Sequence, residues 1–175
     1  MNSVELTQYS LGFAFDLLEQ VVSDLTQEEA DWMPPGMANP IGALYWHTIS
    51  YVDQLVHDWA IGEPPLKQTA GWEEKVVIAA PPKDPEDPMG DLRAIRQGLR
   101  VDLPALHDYA GATAQALQDW LASLTPEDLD RTIETTIGEL NVAQMLGSYV
   151  IWHINVHCGE IAALKGCQGL HGYPW

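Results

Sequence analysis

Basic residues are scarce in this sequence. Lysine and arginine together number 8, against 25 aspartate and glutamate residues, and the formal net charge is −17. So acidic a chain repels phosphate backbones, which makes duplex DNA or RNA a poor candidate partner. The same repulsion argues against docking on anionic membranes. The composition therefore predicts no nucleic-acid partner and no membrane partner.

Cysteines and long apolar runs are also scarce. The two cysteines, Cys158 and Cys167, lie in one predicted helix and its end, too far apart for a strain-free disulfide. Two free thiols fit a reducing compartment. The amino-terminal residues lack the basic start and apolar run of a signal peptide, and no apolar stretch approaches membrane-spanning length. These features predict a cytoplasmic protein.

The chain does have enough apolar residues for a core. With 175 residues, 46% of them hydrophobic, it suits one domain spanning residues 1–175. Apolar residues recur at helical spacing in four long segments, at residues 3–23, about 40–61, about 91–124 and about 141–165.

Caps and breakers refine these four helices. Asn39 and Pro40 predict the start of the second helix, with the asparagine as its cap and the proline at its first position. Gly62 predicts its end, and Gly166 predicts the end of the last helix. Pro104 lies inside the third segment and predicts a kink or a split there.

The segments between the helices differ in kind. Residues 62–89 are rich in proline and have little periodicity, which predicts a long crossover on the outside of the domain. Residues 131–141 alternate threonine, isoleucine and glutamate around Gly138, which predicts a small hairpin or an extended loop. The whole pattern predicts an all-α four-helix bundle with a long crossover between helices 2 and 3.

Two histidines stand four residues apart in the last predicted helix. His153 and His157 lie in the apolar stretch "GSYVIWHINVH", and positions i and i+4 of a helix share a face. Such a pair is able to present two nitrogens to one cation. The spacing also arises by chance, and paired histidines are often only hydrogen-bonded in a core.

A third histidine strengthens the metal interpretation. His47 lies in an equally apolar stretch, "PIGALYWHTISYV", in the second predicted helix. We expect a bundle to bring it to the pair. Three imidazoles with an open fourth position are typical of a catalytic metal site, where a bound water or thiol is activated. The ligand set favours zinc, and nickel, cobalt or iron also fit it.

Two further residues are candidates for supporting roles. Glu160 follows His157 by three residues on the same face, where it would act as a fourth ligand, a general base or an anchor for a ring N–H. Tyr51 lies one turn after His47 and is a candidate hydrogen-bond donor near the substrate. By contrast, we expect His57 and His107 to be solvated or salt-bridged surface residues, and Cys158 to be turned away from the site.

These motifs resemble a known family. His47 in an apolar second helix, and the carboxy-terminal "HINVHCGEIAALKGCQGLHGYPW", are similar to the two halves of the pattern of the DinB-like family. The second half follows H-x-x-x-H-x-G-[EQ]-I and ends in a glycine-rich tail. The resemblance extends over essentially the full length of the chain. One departure is that many relatives have further histidines near the pair, where this chain has Ile154, Asn155 and Val156.

The resemblance implies more than the residues alone. It implies an up-down-down-up four-helix bundle, often a homodimer, with a divalent metal on His47, His153 and His157. Zinc and nickel are the leading candidates. Some relatives are thiol-dependent S-transferases that use a low-molecular-weight thiol as cosubstrate, and many others have no established activity.

Two classes of function follow. The first is a metal-dependent enzyme that activates a thiol or a water for S-transfer to, or hydrolysis of, a small-molecule substrate. The second is a non-catalytic metal- or ligand-binding bundle, with a role in stress as one interpretation. A helical domain whose histidines only form hydrogen bonds is the third alternative, and the position of His47 relative to the pair decides between the metal interpretations and this one.

Overall fold

A computed structural model describes residues 1–80 and 98–175 of the chain. Four long helices carry the fold, and we number all helices in chain order. The long ones are α1 (Ser3–Val22), α3 (Ile41–Val56), α6 (Leu103–Ala122) and α9 (Trp152–Cys167). The short helices are α2 (Gln27–Asp31), α4 (Leu66–Thr69), α5 (Trp72–Val76), α7 (Pro126–Leu129) and α8 (Val142–Met145).

Two pairs of short strands complete the described structure. Strand β1 (Val77–Ala79) pairs antiparallel with β2 (Arg100–Val101), and β3 (Thr132–Thr135) pairs antiparallel with β4 (Gly138–Asn141). The second pair is a hairpin with Thr135 opposite Gly138, which has a φ of 116°. This confirms the hairpin, one of the two predictions made for residues 131–141.

The four long helices form the predicted all-α bundle. Helix α9 packs against α1 and α3, and α6 packs against α1 and α3, so that α1 lies diagonally opposite α3. Lys165 near the end of α9 donates to the Val21 carbonyl at the end of α1, at 2.7 Å, so these two helices run in the same direction. Gln118 late in α6 reaches the Gln8 carbonyl early in α1 at 3.2 Å, so that pair is antiparallel. These contacts give α1, α6 and α9 the relative directions that they have in an up-down-down-up bundle.

The core between the helices is apolar and continuous. The side chains buried most completely come from all four long helices and from the turn before α9. They include Leu11, Leu18, Ile41, Ile49, Leu106, Leu117, Leu121, Met145, Leu146 and Ile161. Burial of such side chains stabilises a fold by about 1.5–3 kcal/mol each relative to exposure, which fixes the helices on which the polar residues discussed below are held.

Three boundaries differ from the predictions. Helix α3 begins at Ile41, and Pro40 is its cap because the backbone of Pro40 is extended, with ψ of 152°. Asn39 therefore makes no cap hydrogen bond, which corrects its predicted role. Helix α6 begins at Leu103, where Asp102 accepts from the Ala105 N–H at 2.9 Å, so Pro104 lies in a first turn that requires no donor. The final helix ends at Cys167 rather than before Gly166.

The predicted start of the third helix lies outside the described residues. Residues 91–97 belong to the gap between residues 80 and 98, and the described part of the segment is a strand followed by α6. The crossover is more ordered than its composition predicted, because its described part contains α4, α5 and β1. None of the helices within the two described ranges combines the length and apolarity needed to cross a bilayer.

A buried carboxylate attaches the crossover to the bundle. Asp53 on α3 is fully buried and accepts from the Leu66 and Lys67 N–H groups at 2.9 and 2.8 Å. It thus caps α4, whose own cap residue is Pro65. The Tyr109 hydroxyl of α6 donates to the same carboxylate at 2.6 Å. One side chain of α3 therefore holds both the crossover and the third long helix.

Candidate metal centre

The three predicted ligands come from two adjacent helices. His47 lies in the second turn of α3, and His153 and His157 lie one turn apart on α9. Because α3 and α9 pack against each other, His47 faces the pair across the interface. The sequence predicted the helix on which each histidine lies. The packing of α3 against α9 brings the three side chains together.

The structure brings the three imidazoles into one cluster. One ring nitrogen of each histidine lies within 4.8 Å of the others. The ring centroid of His47 lies 5.1 Å from that of His153 and 5.0 Å from that of His157. The centroids of His153 and His157 are 4.4 Å apart. Such a cluster of nitrogen donors matches the three-histidine set that zinc and similar divalent cations accept.

His153 provides the test of whether a metal fits. Its Nε2 atom is buried and has no hydrogen-bond partner among the described residues. A buried polar atom left unsatisfied costs about 1–3 kcal/mol, so a native structure normally supplies a partner. The neighbouring donors are two more imidazoles, and a cation that binds all three satisfies this atom. The residues present therefore fit a divalent metal ion.

The protonation state of His153 also suits a ligand. Its side chain is largely buried, and this burial lowers its pKa to about 3, with smaller contributions from the positive charges of His157 and His47. At neutral pH the ring is therefore uncharged and has a lone pair, which is the form that binds a metal.

Glu160 contacts one of the ligands directly. Its Oε2 atom lies 2.5 Å from the His157 Nδ1 atom. A carboxylate only accepts hydrogen bonds, so the Nδ1 atom carries the proton, and in the neutral ring the lone pair is then on Nε2. Carboxylates that hold a ligating histidine in this way fix its tautomer and its orientation. Of the three roles predicted for Glu160, this geometry matches the anchor for a ring N–H.

Tyr51 lies against the other ligand of α9. Its ring stacks on the His153 ring, with centroids 4.3 Å apart and an interplanar angle of 29°, and its centroid is 5.9 Å from that of His47. Burial, and secondarily the neighbouring Tyr149, raise the pKa of Tyr51 above its usual range. The hydroxyl therefore stays protonated at neutral pH and is able to donate a hydrogen bond beside the cluster.

Sequence reasoning missed two π-helical turns in the helices that carry the cluster. One spans His57–Ile61 and continues α3, and the other spans Leu146–Ile151 and leads into α9. Single π turns inside helices are frequent at functional sites. Their side chains Trp59 and Tyr149 meet at 5.8 Å with an angle of 70° between the rings. The sequence signal was faint, consisting of Gly147 and Ser148 inside an otherwise helical pattern.

The prediction that His57 lies at the surface was wrong. The side chain is buried, and its Nδ1 atom lies 2.8 Å from the Asp53 carbonyl oxygen and 3.1 Å from the Asp53 carboxylate. The Asp53 side chain that His57 contacts is itself fully buried, so this side of α3 faces the interior rather than solvent. His107 is half-buried and lies 3.4 Å from the Tyr45 hydroxyl, so it too is less exposed than predicted. Cys158 is buried outside the histidine cluster, and both cysteines are free.

Comparison with known proteins places the chain in a family. A crystal structure described as the conserved protein of locus from Enterococcus faecalis has the same fold, with a TM-score of 0.77 and 22% identity over 94% of this chain and 96% of that one. No curated protein matches the chain. A family model described as the DinB superfamily matches residues 11–161, a range that contains all three histidines, Tyr51 and Glu160. The chain therefore belongs to the DinB superfamily.

Proposed function

We propose that this protein binds one divalent metal ion through His47, His153 and His157 and is a metal-dependent enzyme acting on a small molecule. The reaction is S-transfer from a low-molecular-weight thiol, or hydrolysis. Zinc or nickel is the proposed metal. A divalent cation in this position supplies Lewis acidity that favours a thiolate over a thiol and hydroxide over water.

The main support for this proposal is the His153 nitrogen that has no partner within the described part of the chain. The Nε2 atom of His153 is buried without a partner, in a cluster whose nitrogen donors lie within 4.8 Å of one another. Three histidines that only stabilised the core would be expected to satisfy one another or the backbone. Three protein ligands also leave a fourth position for substrate, which favours catalysis over a purely structural role.

The residues around the cluster have distinct proposed roles. Glu160 holds the His157 Nδ1–H at 2.5 Å and thereby keeps Nε2 directed to the metal. We assign it as a positioning residue. Tyr51 packs on His153, and its protonated hydroxyl donates a hydrogen bond to the bound substrate.

Metal content tests the site. Protein purified without an affinity tag is analysed by inductively coupled plasma mass spectrometry, as wild type, His153→Ala and His171→Ala. His171 is exposed in the carboxy-terminal tail and is the matched control. We expect about one equivalent of metal in the wild type and in His171→Ala, and a loss in His153→Ala. Protein that holds no metal, even after dialysis against zinc or nickel, would contradict the proposal.

Cobalt substitution tests the chemistry. Cobalt(II) has visible absorption that reports coordination, and a thiolate that binds it adds a charge-transfer band in the near ultraviolet. We expect that band when a small thiol is added to the cobalt-loaded protein, which supports S-transfer. A spectrum that responds to pH or azide but not to thiols favours hydrolysis. A spectrum that responds to none of them supports the alternative, a non-catalytic metal-binding bundle.

Two further features belong to this proposal. We propose a homodimer, which sedimentation equilibrium tests through a mass twice that of the 19.4 kDa chain. We also propose a cytoplasmic location, which the two free thiols support. The formal charge of −17 supports a small-molecule substrate over a nucleic acid.

A further inference from the structure

Three aromatic side chains lie on the two helices that carry the histidine cluster. Tyr51 stacks on His153 at 4.3 Å, and Tyr149 lies four residues before His153, in the π turn that leads into α9. Tyr149 in turn meets Trp59 at 5.8 Å. We call Tyr51, Tyr149 and Trp59 the aromatic wall. All three side chains are half-buried, so each keeps part of its surface in contact with solvent.

The wall depends on the two π turns. Trp59 belongs to the turn His57–Ile61, Tyr149 belongs to the turn Leu146–Ile151, and the second turn packs against α3. Arg131 donates to the Ala60 carbonyl at 3.0 Å, so the exposed end of the first turn is also fixed. The rings are therefore held on continuous helices rather than on free loops, which suits a surface that selects a ligand.

The chemistry of the wall indicates what it binds. Aromatic faces stack with other rings and cover apolar surface, and they give anions no hydrogen-bond partner except at the tyrosine hydroxyls. The net charge of −17 disfavours anions further. Arg131 is the cation that the structure places at this turn, and one nitrogen of its guanidinium is used by the Ala60 carbonyl.

We propose that the aromatic wall binds an aromatic ring of the substrate, an inference that rests on the proposed metal site. The substrate class is then a small, uncharged compound with a planar aromatic ring and a reactive group that reaches the metal beside His153. A substrate ring on the exposed parts of Tyr51 and Tyr149 would have its substituent close to His153, because Tyr51 itself lies against that imidazole.

A pair of simple metal ligands tests this inference. Cobalt-loaded protein is titrated with imidazole and with 4-phenylimidazole, and binding is followed through the visible spectrum of the cobalt. Both compounds offer the same donor atom, and only the second carries a phenyl ring. We expect the phenyl compound to bind at least about tenfold more tightly, which is the size of effect that ring stacking and apolar burial provide.

Variants separate the wall from general hydrophobicity. Tyr149→Leu removes the ring and keeps an apolar side chain, so we expect the preference for the phenyl compound to fall about threefold or more. Tyr149→Phe keeps the ring and should retain the preference. Tyr9→Leu, on the exposed face of α1, is the matched control and should not change it. Trp59→Leu is the second test of the wall, and the cobalt spectrum before titration shows that each variant is folded and loaded.

The outcomes distinguish the two proposals. A protein that binds cobalt and imidazole, with the same preference for the phenyl compound in wild type, Tyr149→Leu and Trp59→Leu, overturns the aromatic wall and leaves the metal site intact. A protein that does not bind cobalt overturns the metal site itself. A preference that falls in both leucine variants, and not in Tyr9→Leu, supports the inference.

Discussion

Helix α3 contributes to two polar clusters, of which the first is fully buried and the second is partly buried. The aspartate cluster consists of Asp53, His57 and Tyr109, and the histidine cluster consists of His47, His153 and His157. The Asp53 carboxylate accepts from two backbone N–H groups and from Tyr109, and it also lies 3.1 Å from His57 Nδ1. In the histidine cluster, His153 Nε2 has no hydrogen-bond partner among the described residues.

The difference separates a structural network from a binding site. A buried polar network whose atoms are satisfied by the protein stabilises one arrangement and needs nothing from outside. A cluster with an orphaned nitrogen gives up hydrogen-bond energy in the absence of a ligand and recovers it on binding. The two clusters, which share helix α3, thus contribute differently to stability and to function.

The largest expected effect is on the aspartate cluster. Asp53→Ala leaves the Leu66 and Lys67 N–H groups and the Tyr109 hydroxyl without their acceptor. In the wild type, burial and the nearby carboxylate raise the pKa of the Tyr109 hydroxyl well above its usual range, so this hydroxyl is protonated and donates. We expect a loss of about 3–5 kcal/mol in the free energy of unfolding, measured by urea denaturation. Asp58→Ala, at an exposed position in the next turn, should cost under about 0.5 kcal/mol. A loss below about 1 kcal/mol for Asp53→Ala would contradict a structural role.

The next effect belongs to the histidine cluster and appears only with metal. Zinc at a free concentration one hundred times its Kd should raise the free energy of unfolding of the wild type by about 2.7 kcal/mol, because it binds the folded state. His153→Ala should show no such rise, whereas Asp58→Ala should show the full rise. An equal rise in His153→Ala would place the zinc elsewhere. Denaturation with and without zinc measures all three.

Removing the carboxylate beside His157 should have a smaller effect. Glu160→Gln keeps a neutral acceptor near His157 Nδ1, and we expect it to weaken zinc binding about tenfold, whereas Glu160→Ala should approach about 100-fold. Competition with a chromophoric chelator measures both. Glu139→Gln, at an exposed position of β4, is the control and should bind as the wild type does. Unchanged affinity in Glu160→Ala would remove its positioning role.

The smallest expected effect is on the stability of the metal-free protein. His153→Phe replaces a buried ring by an apolar ring of similar shape and removes the orphaned nitrogen. In metal-free protein we expect the free energy of unfolding to stay within about 1 kcal/mol of the wild type, or to rise, because replacing an unsatisfied polar group by an apolar one is nearly neutral. A loss above about 2 kcal/mol in urea denaturation would show that His153 has a partner in the metal-free state.

The sequence predicted the histidine cluster better than the aspartate cluster. Periodicity fixed the faces of the long helices, and His47, His153 and His157 each lay in an apolar stretch of one of them. Glu160 and Tyr51 followed from spacing of three and four residues to a ligand, which is local information. The family resemblance added the order of the helices.

The remainder depended on contacts that spacing does not contain. Tyr109 is 56 residues from Asp53, and the N–H groups that Asp53 accepts from lie in a proline-rich crossover that had no predicted structure. Trp59 and Tyr149 lie in π turns, which shift the helical register by one residue. A sequence pattern analysed with a fixed period of 3.6 residues does not predict that shift.

X-ray absorption spectroscopy at the zinc edge of the loaded protein tests the three-histidine site. We expect multiple scattering from three imidazoles, with Zn–N distances of about 2.0–2.1 Å, and only two imidazoles in His153→Phe if that variant retains zinc. A zinc–sulfur distance of about 2.3 Å in protein free of added thiol, or a spectrum unchanged by His153→Phe, would contradict the three-histidine site.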